Sequence, residues 1–293
     1  EVLCEPFPPR LERGAGVPAV PRLIYFAKFA AQQLAGATHL ILAGARSPVS
    51  FFAYPDPESP SDLVPAGCTV HPLAGPRGAA AALQQLADEL APGVVAPLPD
   101  LARPAVPTGA LDGASLAATV AALLPENAVI VDESNTAGAA APEATAGAPA
   151  HDVLTLTGGA IGYGMPAAVG AAVAVPARPV LSLQADGSAM YTISALWTQA
   201  RGSLDITTIV LNNGAYQILR WELANVGVAE PHTRGWRVTD LLDLGNPDLD
   251  FVKIAEGMGV PARRVSTAEE LAAALREAFT EPGPHLIEAI LRA

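Results

Sequence analysis

Short apolar runs alternate with segments of helical spacing along most of the chain. The clearest unit is an apolar run, Pro179 to Leu183, that leads into Ala185-Asp186-Gly187-Ser188. A helical pattern follows, and a second apolar run, Ile206 to Leu211, ends in Asn212-Asn213-Gly214. Runs of this kind predict strands buried on both faces. Upstream, strands are predicted at 39–45, 68–73, 128–131 and 153–157, with helices at 22–34, 78–90, 115–124 and 166–174. Downstream come helices at 251–258 and 268–279 and a last strand at 285–291. Strands alternating with helices predict an α/β fold with a doubly wound, mostly parallel sheet, preceded by part of a second α/β domain.

Between these blocks, Ala91 to Gly109 carries five prolines and reads as an extended linker. The expected organisation is therefore 1–91, a proline-rich linker at 92–112, and a second domain at 113–293. Only three strands are predicted before the linker, too few for a doubly wound domain. The chain also opens on Glu1, inside the strand-like VLCEPF. Both features lead to the expectation of a fragment of something longer. Residues 225–246, without clear periodicity, are expected to be mobile.

Composition narrows the partners. A net charge of −12 argues against nucleic acid and anionic membranes, which call for basic patches. Two distant cysteines give neither a disulfide framework nor a zinc site, no apolar run approaches the roughly 20 residues of a membrane span, and the start lacks a signal-peptide layout. A cytoplasmic location is the expectation.

The candidate chemistry sits where the predicted strands end. In open α/β sheets ligands bind outside the carboxyl ends of the strands. If the two runs above are parallel neighbours, Asp186 and Asn213 lie side by side although 27 positions apart. Asp-Gly and Asn-Gly are each common turn dipeptides. Together, each closing a strand, they offer hard oxygen ligands of the kind magnesium or calcium takes. One carboxylate plus one amide leaves such a site short of negative charge, and a phosphorylated ligand complements it. Glu133-Ser134-Asn135-Thr136 closes another strand with short polar side chains suited to phosphate or to a helix N-cap. Gly158-Gly159-Ala160-Ile161-Gly162-Tyr163-Gly164 does not have the spacing of a dinucleotide fingerprint. The five histidines show no ligand spacing.

A-D-G, 24 residues, then N-N resembles the thiamine diphosphate motif, usually G-D-G, about two dozen residues, N-N. SAMYTISALWTQA, LNNGAYQILRW and GGAIGYGMPAAVG resemble benzoylformate decarboxylase and the acetolactate synthase group. The departure is Ala185, where the family usually has glycine; it removes no ligand. The resemblance implies Mg²⁺ ligation by Asp186, Asn213 and the carbonyl of Ala215, with Tyr216 adjoining the cofactor. It implies diphosphate contacts from Asn135, Thr136, Gly187 and Ser188. Gly159 is implied to offer its carbonyl to the aminopyrimidine, and Ile161 to support the bent cofactor. Ile218 and Glu222 are candidate substrate-pocket residues; Glu222 stands where benzoylformate decarboxylase has an aromatic residue.

The resemblance further implies a homodimer or homotetramer acting on a 2-oxo acid. The glutamate that activates the cofactor belongs to an N-terminal domain, so no catalytic residue is assigned and the chain alone is expected to be inactive. FAD binding is left open, because flavin contacts fall largely in the central domain. The leading expectation is a carboligase like the acetolactate synthase large subunit; the alternatives are a benzoylformate-type decarboxylase and a non-catalytic binding or assembly module.

Overall fold

The computed structural model describes residues 1–227 and 240–291. Residues 228–239, inside the stretch expected to be mobile, lie outside the described residues.

The chain divides into two units, Glu1–Pro6 with Val20–Pro97, and Phe7–Ala19 with Leu98–Ala293. The first holds helix α1 (Ala27–Gln33), strands β2 (His39–Ala43) and β3 (Thr69–Ala74), and helix α2 (Ala79–Leu90). β2 and β3 pair in parallel. A small core of Leu23, Ala27, Ala30, Leu34 and Leu63 fills it. VLCEPF contributes only an isolated bridge, between Cys4 and Arg22.

The second unit begins with strand β1 (Leu11–Arg13), then α3 (Gly113–Leu123), β4 (Val129–Glu133), α4 (Ala141–Ala144), β5 (His151–Thr155) and α5 (Gly164–Ala174). It continues through β6 (Val180–Ala185), α6 (Asp186–Thr192), α7 (Ala195–Gly202), β7 (Ile206–Asn212) and α8 (Gln217–Asn225). It closes with α9 (Phe251–Gly257), β8 (Ala262–Val265), α10 (Ala268–Ala278) and β9 (His285–Ile290). The strands form one seven-stranded sheet ordered β1-β5-β4-β6-β7-β9-β8. All pairings are parallel except β1 against β5.

Alternate residues of each strand explain why both faces are covered. Ile130, Leu181, Leu183, Ile209, Leu211, Ile287 and Ala289 pack one face against α3 and α10. Val129, Val131, Val180, Ile206, Val210 and Leu286 pack the other against α5, α7 and α9. The sheet is thus doubly wound, as the sequence pattern predicts. Two strands escape that pattern. β8 reads Ala-Arg-Arg-Val with both arginines exposed at the sheet edge, and β1 is three residues long. β5 starts two residues early because its buried Asp152 is paired with Arg10 and Arg178 at 2.6 Å each. Phe7–Ala19 therefore belongs with the sheet rather than with the segment that surrounds it in sequence.

Successive strands run from β4 outward to β5 on one side, then to β6 on the other. The connection reverses direction between β4 and β6, a topological switch point where the crevice outside the carboxyl ends receives ligands.

Candidate functional site

The register places Ala185 of β6 opposite Leu211 of β7, so the two polar turns leave the sheet side by side. Asp186 opens α6 and is 2% exposed. Its Oδ2 accepts from the backbone N–H of Asn213 at 3.0 Å and of Gly214 at 2.7 Å, and its Oδ1 from Gly187 at 2.8 Å. The side-chain oxygen of Asn213 accepts from Ala215 N–H at 3.1 Å, and the Ala215 carbonyl from Gln217 N–H at 2.9 Å. Tyr216 N–H donates to Leu242, and Leu244 N–H to Gly214, bracing the turn. Asp186, Asn213 and Ala215, 27 and 29 positions apart from the first, meet in one loop cluster.

Burial pushes the Asp186 carboxyl above the usual carboxylate range, against the pull of the N–H groups of Gly187, Gly214 and Asn213. No ion pair reaches it among the described residues. Gly187 has no room for a side chain: a Cβ would lie 2.5 Å from the Tyr216 ring. Ser188 is buried, donating to the Ala185 carbonyl at 3.0 Å and accepting from Gln184 at 2.6 Å.

On the other side of the switch point, β4 ends in Glu133, 1% exposed and opposite Gln184. Its two carboxylate oxygens accept from the N–H groups of Gly162 and Gly164. Burial raises this carboxyl too, opposed first by the bonds from Gly164 and Gly162. A lone glutamate at a strand end carries no signal that its partners lie about 30 positions on. Asn135 follows in the left-handed region (φ 51°) and is exposed, and Thr136 is half-buried.

The glycine segment leaves β5 as a single turn, Thr157–Gly159, with Gly158 and Gly159 at φ 71° and 68°. A Cβ on Gly158 or Gly214 would meet nothing within 4 Å, so backbone is open to approach at both. Ile161 is half-buried. Tyr216, Ile218 and Glu222 are half-buried on or beside α8, the latter two four residues apart and hence on one helical face.

These residues fit a phosphate-bound magnesium. The donor set is one carboxylate, one amide oxygen and one carbonyl, all hard ligands. Among the described residues no cationic side chain pairs with the buried Asp186 carboxylate, and a buried charge is ordinarily held by such a partner or by a metal. The open space beside the backbone at Gly158 and Gly214 leaves room for a ligand to approach the strand ends. Among the described residues no group of three or more His, Cys, Asp or Glu could hold a metal ion.

Residues 137–289, more than half of the chain, match the family described as "Thiamine pyrophosphate enzyme, C-terminal TPP binding domain". The chain is 68% identical to the putative acetolactate synthase large subunit IlvX of Mycobacterium tuberculosis, over 99% of this chain and 55% of that protein. It is 34% identical to benzoylformate decarboxylase of Pseudomonas aeruginosa, over 78% of this chain and 45% of that one. A thiamine diphosphate-dependent 4-hydroxybenzoylformate decarboxylase of Rhodococcus jostii RHA1 superposes with a TM-score of 0.73 at 30% identity, over 93% of this chain and 52% of that structure. The chain thus spans about half the length of these relatives. With its family match, its fold and its strand-end loops in agreement, the chain belongs to the thiamine pyrophosphate-dependent enzymes.

Proposed function

We propose that this protein is a thiamine diphosphate-dependent 2-oxo-acid carboligase of the acetolactate synthase kind. The observation that carries the reading is the buried Asp186, wrapped by the Asn213–Ala215 turn at the switch point. The 68% identity to a putative acetolactate synthase large subunit supports the reaction class. Thiamine diphosphate, when bound, supplies the carbon nucleophile and the electron sink for decarboxylating a 2-oxo acid.

In this reading Asp186, Asn213 and the Ala215 carbonyl hold Mg²⁺, and Asn135, Thr136, Gly187 and Ser188 hold the diphosphate. Gly159, Ile161 and Tyr216 bear on the remainder of the cofactor, Ile218 and Glu222 on the substrate. Glu133 keeps the glycine segment in place. The activating carboxylate comes from a domain outside this sequence, in a homodimer or homotetramer, and the first unit is the second half of a central domain. FAD is left open.

A simple decarboxylase is the second reading, favoured by the similarity to the Pseudomonas and Rhodococcus decarboxylases. Proton NMR of products separates the two, using the protein from its own source with thiamine diphosphate and Mg²⁺. Acetolactate from pyruvate is the expected product. Benzaldehyde from benzoylformate, with pyruvate untouched, overturns the carboligase in favour of the decarboxylase. Bound cofactor with neither product points to a binding or assembly module.

A further inference from the structure

β9 carries a carboxylate where a central strand is expected to be apolar. Glu288 is fully buried, paired in register with Val210 of β7. A charge in that position is costly unless it is both paired and hydrogen-bonded. Arg264 of β8 donates to its Oε2 through Nε at 2.9 Å, and Asn212 donates to its Oε1 through Nδ2 at 2.8 Å. Arg264 also reaches Asp250, the cap of α9, at 3.1 Å. The other end of the Asn212 amide, Oδ1, accepts from Gly214 N–H at 3.1 Å, and this same N–H donates to Asp186 Oδ2 at 2.7 Å.

An asparagine amide has a donor end and an acceptor end of nearly the same shape. A carboxylate can only accept, so Glu288 draws Nδ2 to itself and leaves Oδ1 facing Gly214. We propose that Glu288, held by Arg264, is a positioning residue: it orients Asn212, which fixes the Gly214 N–H and so the turn presenting Asn213 and the Ala215 carbonyl beside Asp186. The role toward a metal rests on reading that turn as the Mg²⁺–diphosphate loop.

Two readouts on the whole chain test it. The first is hydrogen exchange of the Gly214 amide, followed by NMR without metal. The second is Mn²⁺ affinity in the presence of thiamine diphosphate, followed by electron paramagnetic resonance. Glu288→Gln keeps the size but can turn a donor toward Asn212 or Arg264. It is expected to speed Gly214 exchange at least ~10-fold and weaken Mn²⁺ at least ~10-fold, the scale of a residue behind a metal ligand. Arg263→Gln, on the same strand as Arg264 but breaking only a surface pair with Glu277 of α10, is expected to change neither. Arg264→Lys serves as the second variant should Glu288→Gln fail to fold, and the same two changes are expected of it. A Gly214 amide unmoved by the substitution overturns the network. Faster exchange with unchanged Mn²⁺ affinity overturns its positioning role. A wild-type chain that takes up no Mn²⁺ overturns the reading of the loop and with it that role, while the exchange result still decides the network.

Discussion

At the scale of single residues the site is built by exclusion as much as by contact. Gly164 opens α5 where a Cβ would stand 2.4 Å from the Gln184 side-chain oxygen and 2.7 Å from Glu133. Gly164→Ala therefore forces apart the two side chains that join β4 to β6. The expected loss is roughly 1–3 kcal/mol in urea unfolding, the cost of overpacking a filled core. An unchanged midpoint would show that the interior yields there. The ligand types were legible in sequence because Asp186 and Asn213 each close an apolar run. The clamp by Glu133 was not, because its partners are backbone N–H groups of glycines, which carry no side-chain signature. Glu288 reads as part of the last strand for a different reason: its side-chain partners, Arg264 and Asn212, lie 24 and 76 positions away and meet it only through strand pairing.

At the scale of elements, helix termini and strand edges decide what a sequence discloses. α10 begins with a capping box in which the Thr267 hydroxyl accepts from Glu270 N–H and the Glu270 carboxylate accepts from Thr267 N–H, both at 3.3 Å. Its apolar positions, among them Leu271 and Leu275, lie in the core under the sheet. Period and cap agree, and the helix appears within one residue of its expected end. Thr267→Ala is expected to cost about 1 kcal/mol by loss of the cap, and Leu271→Ala roughly 2–5 kcal/mol by opening a cavity. Thermal unfolding of both variants checks the ranking, which a larger loss from Thr267→Ala would reverse. β8 shows the opposite case. An edge strand buries one side at most, so Arg263 and Arg264 remain charged and no apolar run betrays it. Register and strand order, which decide that Asp186 meets Asn213, follow from long-range pairing that local pattern does not encode; the sequence supports them only conditionally.

At the scale of the whole sheet unit, Asp152 ties distant segments together. It is reached by Arg10, ahead of β1, and by Arg178, which also donates to the carbonyls of Asn127 and Ala128. Burial works to raise this carboxyl, but the arginine bonds outweigh it and the folded-state pKa lies below the usual value. Its stabilisation is therefore present above the unfolded pKa of about 3.9 and is lost as pH falls through the lower folded value. Asp152→Asn is expected to lower stability by roughly 1–3 kcal/mol at pH 7, with the difference from wild type shrinking below about pH 4. A loss independent of pH would mean that packing, and not charge, is at stake.

We propose that the strand-end loops of this chain hold thiamine diphosphate through a divalent metal at Asp186. Calorimetric titration of the chain with thiamine diphosphate, in Mg²⁺ and in chelator, tests it most directly, with Asp186→Asn as the variant and circular dichroism as the check on folding. Binding is expected in Mg²⁺, none in chelator, and a loss of at least ~100-fold in the variant, beyond what residues behind a ligand cost. Binding that is equal with and without metal, or equal in wild type and folded Asp186→Asn, would contradict it.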